Sequence, residues 1–391
     1  MNLPPAHHPD TYVTGAVLPD KQYGHRPRKS EKCKTKLPIK CHSKQPARRR
    51  GTHRDFASQN RLLNTPLNRP LCTEKILEPD LKHMNASATG VYLITVTPFT
   101  ESGELDLVST DRMVDFSLSC GVTGLTVLGI MGEATKLSAE ESRVFVQQVL
   151  KRVSGRVPVV VGASAPGFAP MGELTSSVMA MGAAGVMVAP PASLRTDDQI
   201  VAYFDMVSET LGPDVPWVLQ DHPVATGVQM STSVILRILK NAANCMMLKA
   251  EDCPGLAKLS AIRAASERGE ARRVSILTGN GGGLFLPEEL SRGADGAMTG
   301  FAYPEMMVDV CRAHAAGHIE KAHDIFDAYL PLARYEQQAG IGLAVRKHLL
   351  AQRGVIASAA IRKPGPKLSA PDIGDIARLV SRQSQRLAQL G

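Results

Sequence analysis

No run of apolar residues in this 391-residue chain is long enough to span a bilayer, and none has the make-up of a secretory h-region. No membrane partner is therefore expected. The seven cysteines supply no CxxC pair in the body of the chain and no His/Cys group with zinc spacing. That pattern excludes a structural zinc site and suits free thiols in a reducing cytoplasm. A GxGxxG fingerprint after the first strand is also missing, which argues against a dinucleotide site. Basic excess is missing where the folded body lies: residues 84–391 carry 28 Lys+Arg against 30 Asp+Glu, and residues 1–83 carry 17 against 7. The formal charge of +8 thus belongs to the first 83 residues, and no nucleic-acid partner is expected for the body.

Residues 1–83 are rich in Pro, His and Lys, with charge runs such as Arg48-Arg49-Arg50 and no sustained apolar period. A disordered basic extension is expected there. A nucleic-acid-binding arm would use such charge, and an organelle transit peptide would be rich in Arg and poor in acids. The preferred reading takes Met84 as the true start, because the first strand begins at Gly90 and because Asp10, Asp20 and the many prolines do not suit a transit peptide.

From Gly90 onward, short β-rich runs alternate with amphipathic stretches. Strands are expected at Val91–Val96, Gly124–Leu128, Val157–Val161, Gly185–Val188, Pro216–Leu219, Cys245–Leu248, Val274–Leu277 and Gly296–Met298. Between them lie helical segments such as Ser138–Val153, opened by Ser138 with Glu141 three residues later as a capping box. Eight repeats of strand and helix predict an α/β fold, a closed parallel (β/α)8 TIM barrel over residues 84–316, with a doubly wound open sheet as the runner-up. Further helical stretches at 319–335, 340–353 and 372–390 predict a C-terminal helical extension over residues 317–391.

Lys249 directly follows the apolar run Cys245-Met246-Met247-Leu248, where a buried strand would normally stop. Burying an ammonium is costly, and loss of its proton lowers the cost and leaves a nucleophile. The alternative is a strand that ends at Leu248 with Lys249 in water. Its place at the end of the sixth strand favours chemistry, because such barrels collect their reactive groups at the C-terminal ends of strands. After the second strand, Gly129-Ile130-Met131-Gly132 reads as a tight turn whose amides suit a carboxylate. Glu133 reads as a buried structural acid that ties the turn down.

Gly129-Ile130-Met131-Gly132-Glu133 with Leu137-Ser138, Thr97-Pro98-Phe99, Pro223 with Thr226-Gly227, Lys249, and Gly296 to Gly300 with Pro304 occur in that order over about residues 88–355. Together they resemble the dihydrodipicolinate synthase and N-acetylneuraminate lyase superfamily. The resemblance implies a barrel enzyme, a homotetramer or homodimer, in which the lysine of the sixth strand forms an imine with a 2-oxo acid such as pyruvate. It implies no metal or organic cofactor. Lys249 would be the imine-forming residue. Thr97, Ile130, Met131, Gly279, Asn280 and Thr299 would bind substrate.

This chain departs from the family pattern at several points. Ile130 and Met131 replace two threonines of the turn, and Pro190-Pro191-Ala192 stands where the family carries Pro-Tyr-Tyr. Gln220-Asp221-His222-Pro223 replaces Tyr-Asn-x-Pro, and Ala225 replaces an arginine before Thr226-Gly227. The usual hydroxyl relay and carboxylate-gripping arginine are therefore missing. Alternation along a strand makes Gln220 and His222 point the same way, and His222 suits acid/base work near neutrality. Packing beside Pro223 is the bland alternative for His222. Asp221 would then face the outer layer.

Glu251 and Asp252 compete for the acid/base role or form a solvated loop, and Arg195 is a candidate carboxylate clamp or a surface arginine. Gly279 to Gly283 read as a ligand-approach loop or a plain connector. Tyr335 to Gln338 and Arg346-Lys347-His348 read as solvated or interface faces. The sequence thus predicts a Schiff-base lyase, an aldolase or dehydratase for a 2-oxo acid or a 2-keto-3-deoxy sugar acid. Two alternatives stand beside it: a non-catalytic 2-oxo acid binding protein, and a nucleic-acid-binding protein resting on residues 1–83 alone.

Overall fold

The structure, a computed structural model, describes residues 84–253, 255–279 and 283–390; the expected tail over residues 1–83 lies outside them. Within those residues, short runs rich in Val, Ile, Leu and Met form strands, because each is too short and too evenly apolar for an amphipathic helix. The strands are β1 (Gly90–Ile94), β2 (Gly124–Val127), β3 (Val159–Gly162), β4 (Gly185–Val188), β5 (Trp217–Asp221), β6 (Cys245–Ala250), β7 (Ser275–Thr278) and β8 (Gly296–Ala297). Each pairs in parallel with the next, and β8 returns to β1, which closes the barrel expected from the sequence.

The helices that cross between strands are α1 (Leu107–Ser119), α2 (Ala139–Val153), α3 (Phe168–Ala180), α4 (Asp197–Leu211), the one-turn α5 (Pro223–Thr226), α6 (Thr232–Asn241), α7 (Leu256–Glu267) and α8 (Leu286–Ser291). Beyond β8 follow α9 (Pro304–Ala315), α10 (Ile319–Glu336), α11 (Gly342–Gln352) and α12 (Ala370–Leu390). Helix α2 opens with the expected capping box: Ser138 accepts from the Glu141 amide, and the Glu141 carboxylate accepts from the Ser138 amide. Among the described residues, no helix is long and apolar enough to cross a membrane.

Alternation along each strand sorts side chains into two apolar layers. Tyr92, Ile94, Val160, Met187, Val218 and Met247 fill the barrel interior, while Val91, Leu93, Leu125, Trp217 and Leu219 pack outward against the helices. Each such side chain stabilises the fold by roughly 1.5–3 kcal/mol, which offsets the cost of the charges placed among them.

One irregularity decides the site. Trp217 pairs with Cys245 but Val218 pairs with Met247, so β6 carries one extra residue against β5. Cys245 faces the outer layer and Met247 the interior, although they lie two apart. The bulge therefore flips the alternation and turns Lys249 inward. Strands β5 and β6 also run two residues past their expected ends, because Gln220 pairs with Lys249 and Asp221 with Ala250 in the ladder.

Candidate active site

The same alternation that aims Lys249 inward aims Glu251 inward behind it. Glu251 is the centre of the cluster: its Oε2 lies 3.0 Å from Lys249 Nζ and accepts a 2.7 Å hydrogen bond from Gln220 Nε2. His222 Nδ1 stands 3.6 Å from that oxygen, too far for a hydrogen bond. Lys249, Glu251 and Gln220 are all buried, at 5%, 6% and 3% exposure. An isolated charge at that depth would cost several kcal/mol, and the contact between cation and anion offsets it.

Burial holds the His222 pKa below its ordinary value; Glu251 opposes that shift and Lys249 adds to it. Burial thus favours the neutral imidazole. Its Nδ1 is buried with no hydrogen-bond partner among the described residues.

Gly279, at the end of β7, is required by Glu251. A Cβ at 279 would stand 2.6 Å from Glu251 Cδ and 2.7 Å from its Oε1, where an ordinary contact begins at 3.4 Å. A side chain at 279 would push the Glu251 carboxylate off this position.

The turn after β2 is held from three sides. Leu128 and Glu133 both take left-handed backbone, at φ 54° and 55°, on either side of the 3-10 turn Ile130–Gly132. Such conformations cost of order 1–3 kcal/mol each and persist only where the surroundings fix them. Thr97 Oγ1 donates to the Gly132 carbonyl at 2.6 Å. Glu133 is buried and accepts from Lys347 Nζ at 2.6 Å, Lys136 Nζ at 3.0 Å and the Arg362 amide at 3.1 Å. Lys347 has no exposed surface; burial pushes its pKa down, Glu133 opposes that, and its ammonium also lies 4.5 Å from the Phe99 ring centroid. Glu133 is thus the structural acid that its position suggested. Ile130 and Met131 begin a helical turn, whose first amides have no acceptor within the turn, and both residues line the cavity at the strand ends.

Lys249, His222, Gln220, Ile130, Met131, Gly279 and Thr299 all line one cavity of about 300 Å³ at the C-terminal ends of the strands. Glu251, Gln337 and Arg346 line it too. Thr97 does not: its hydroxyl is turned to the Gly132 carbonyl behind the turn, so it supports the cradle without facing the space. Asn280 lies outside the described residues. Arg195 is exposed, bonds the Ala192 and Leu194 carbonyls of its own loop, and stays away from the cavity. Asp221 faces outward as expected and meets Lys258 Nζ at 2.8 Å.

Glu336, Arg346 and Lys347 overturn the expectation of solvated faces. They are buried at 0%, 3% and 0% exposure, because the C-terminal helices fold back over the strand ends and each charge finds a partner there. Glu251 is the central residue that the sequence left as one of two options. The rule applied to Gln220 and His222, that residues two apart share a face, applies equally to Lys249 and Glu251. A larger hollow of about 540 Å³ lies between α2, α3 and β3, but it is lined by no acid, thiol or histidine.

Three comparisons bear on this arrangement. The dihydrodipicolinate synthetase family model matches residues 87–382. The chain is 31% identical over 298 residues to the L-2-keto-3-deoxyarabonate dehydratase of Azospirillum brasilense, covering 73% of this chain and 92% of that protein. It is 30% identical over 249 residues to a 4-hydroxy-tetrahydrodipicolinate synthase of Thermotoga petrophila, covering 63% of this chain and 82% of that protein. Among solved structures, a dihydrodipicolinate synthase from Rhodopseudomonas palustris superposes with a TM-score of 0.75 at 49% identity, covering 77% of this chain and 99% of that one.

Proposed function

The chain belongs to the dihydrodipicolinate synthetase family, and on that premise we propose that it is a Schiff-base lyase that dehydrates a 2-keto-3-deoxy sugar acid through an imine on Lys249. The observation that carries the reading is the contact of Lys249 Nζ with Glu251 Oε2 at 3.0 Å in the cavity at the strand ends. A lysine attacks a carbonyl only as the free amine, and Glu251 is placed to take the proton. The amine adds to C2, the carbonyl oxygen leaves as water, and a protonated imine results.

The imine draws electrons from C3. Glu251 removes the C3 proton, the enamine forms, and the C4 hydroxyl leaves as water when a proton is returned to it. Neutral His222, 3.6 Å from Glu251, carries that proton between the carboxylate and the leaving group. Gln220 is a positioning residue: its amide donates to Glu251 and fixes which oxygen faces the lysine. The amides of Ile130 and Met131 hold the substrate carboxylate, and Gly279 and Thr299 complete the wall.

Dehydration is favoured over condensation because Ala225 stands where the synthases hold an arginine for a second carboxylic substrate. The proposal extends to a homotetramer or homodimer working in the cytoplasm, as the family resemblance suggests.

Borohydride reduction with pyruvate and with a 2-keto-3-deoxy five-carbon acid, read by mass spectrometry, tests it. The wild-type chain is expected to gain an adduct with each, and Lys249→Ala none. Wild-type protein without an adduct would sink the imine. Adducts without turnover of any keto-deoxy acid would favour a non-catalytic 2-oxo acid binding protein, and cleavage to pyruvate would make the enzyme an aldolase.

A further inference from the structure

The substrate class named above leaves open what recognises the far end of the molecule, and the inference made here rests on that reading. Arg346 reaches the cavity from α11 and is almost wholly buried, at 3% exposure. Two of its three nitrogens have structural work: Nε donates to Glu336 Oε1 at 2.6 Å, and Nη2 donates to the Gly300 carbonyl. Glu336 in turn accepts from the Ala302 amide at 3.1 Å, so the pair pins the segment after β8 to α10.

Nothing in that arrangement explains Nη1. It is buried, has no hydrogen-bond partner among the described residues, and belongs to a side chain that lines the same cavity as Lys249. Gln337 lines it as well, and its Nε2 is likewise buried and without a partner among the described residues. Native folds leave few buried donors unpaired, and a charged one is costlier to leave so than a neutral one. Two such donors lining one cavity mark a place for acceptors.

The backbone beside them gives way to the guanidinium. A Cβ on Gly300 would stand 2.6 Å from the Ile94 carbonyl oxygen and 2.9 Å from Arg346 Cζ, so only glycine lets Arg346 lie there. The cavity of about 300 Å³ has room for roughly ten waters, more than a three-carbon acid fills. Charge narrows the acceptor. Arg346 is already balanced by Glu336, and Lys249 by Glu251. A neutral oxygen suits the remaining donors better than a second carboxylate.

We propose that Arg346 and Gln337 form a distal subsite that binds a hydroxyl oxygen at the far end of an extended 2-oxo acid. This subsite selects 2-keto-3-deoxy sugar acids over pyruvate.

The test compares two variants with wild type: Gln337→Leu, which disturbs no structural contact described here, and Arg346→Met combined with Glu336→Gln, which removes the buried charges as a pair. The readout is kcat/KM for a 2-keto-3-deoxy five-carbon acid divided by the rate of pyruvate adduct formation under borohydride. The ratio is expected to fall severalfold in Gln337→Leu and at least tenfold in the paired variant, with the loss in KM more than in kcat. An unchanged ratio in Gln337→Leu, or an equal fall on both substrates in the paired variant, overturns the subsite. So does better turnover of a keto-deoxy diacid than of the hydroxy acid. Absence of any adduct in wild-type protein overturns the lyase reading and this one together, whereas adducts with an unaltered ratio overturn this one alone.

Discussion

Gly279→Ala is the sharpest probe of the site, because it alters nothing that reacts. The added methyl would sit 2.6 Å from Glu251 Cδ and 2.7 Å from Oε1, and ordinary contact begins at 3.4 Å. The carboxylate must therefore retreat by about 1 Å, and misplacement on that scale costs on the order of 10²-fold in rate. Retreat also lengthens the 3.0 Å contact to Lys249 and the 2.7 Å bond from Gln220. Removing the acid itself by Glu251→Gln should cost about 10²–10⁴-fold. The two changes act on one group, so the double variant should be little worse than Glu251→Gln alone. Steady-state kcat on a keto-deoxy acid, with circular dichroism to confirm the fold, measures all three. A Gly279→Ala enzyme with kcat near wild type, or a double variant whose losses multiply, would refute the role given to Glu251.

Two further outcomes concern stability. Burial raises the Glu289 pKa from 4.5 to about 7, so the fold keeps a proton that the unfolded chain releases. Its contribution is full below about pH 4.5 and is lost as pH rises through about 7. Glu289→Gln should therefore match wild type near pH 4 and exceed it at pH 8 by on the order of 3 kcal/mol. Urea unfolding at both pH values checks this, and a difference between the two proteins that is the same at both would contradict it. Glu133→Gln leaves the fully buried Lys347 without its counter-charge, and chemical denaturation should show a loss of roughly 3–5 kcal/mol. Adding Lys347→Met should restore part of it, and a single variant within about 0.5 kcal/mol of wild type would remove Glu133 from its structural role.

The barrel was legible because its signal is periodic: every strand lies within a few residues of its expected place, from Gly90 to Ala297. Lys249 was legible because a cation after an apolar run is conspicuous. Local pattern could not show the extra residue at Met246 that turns Lys249 inward, since a bulge is defined only against its partner strand. Glu251 followed from strand alternation once β6 was known to reach Ala250. Arg346, Lys347 and Glu336 were misread because helical charges normally face water, and their burial depends on contacts with residues far away in the chain. Thr97 shows the converse: a residue on a matching motif whose hydroxyl is committed to Gly132 rather than to the cavity.

The anchoring of Glu133 also sets a timetable. Its partners Lys347 and Arg362 lie 214 and 229 residues downstream. At ribosomal speeds of about 5–20 residues per second, they are made roughly ten to forty-five seconds after the turn they secure. The strands can pair during that interval while the left-handed residue at 133 still lacks the contacts that hold it. The carboxylate cradle can therefore be fixed only after α11 and the segment at Arg362 have been made.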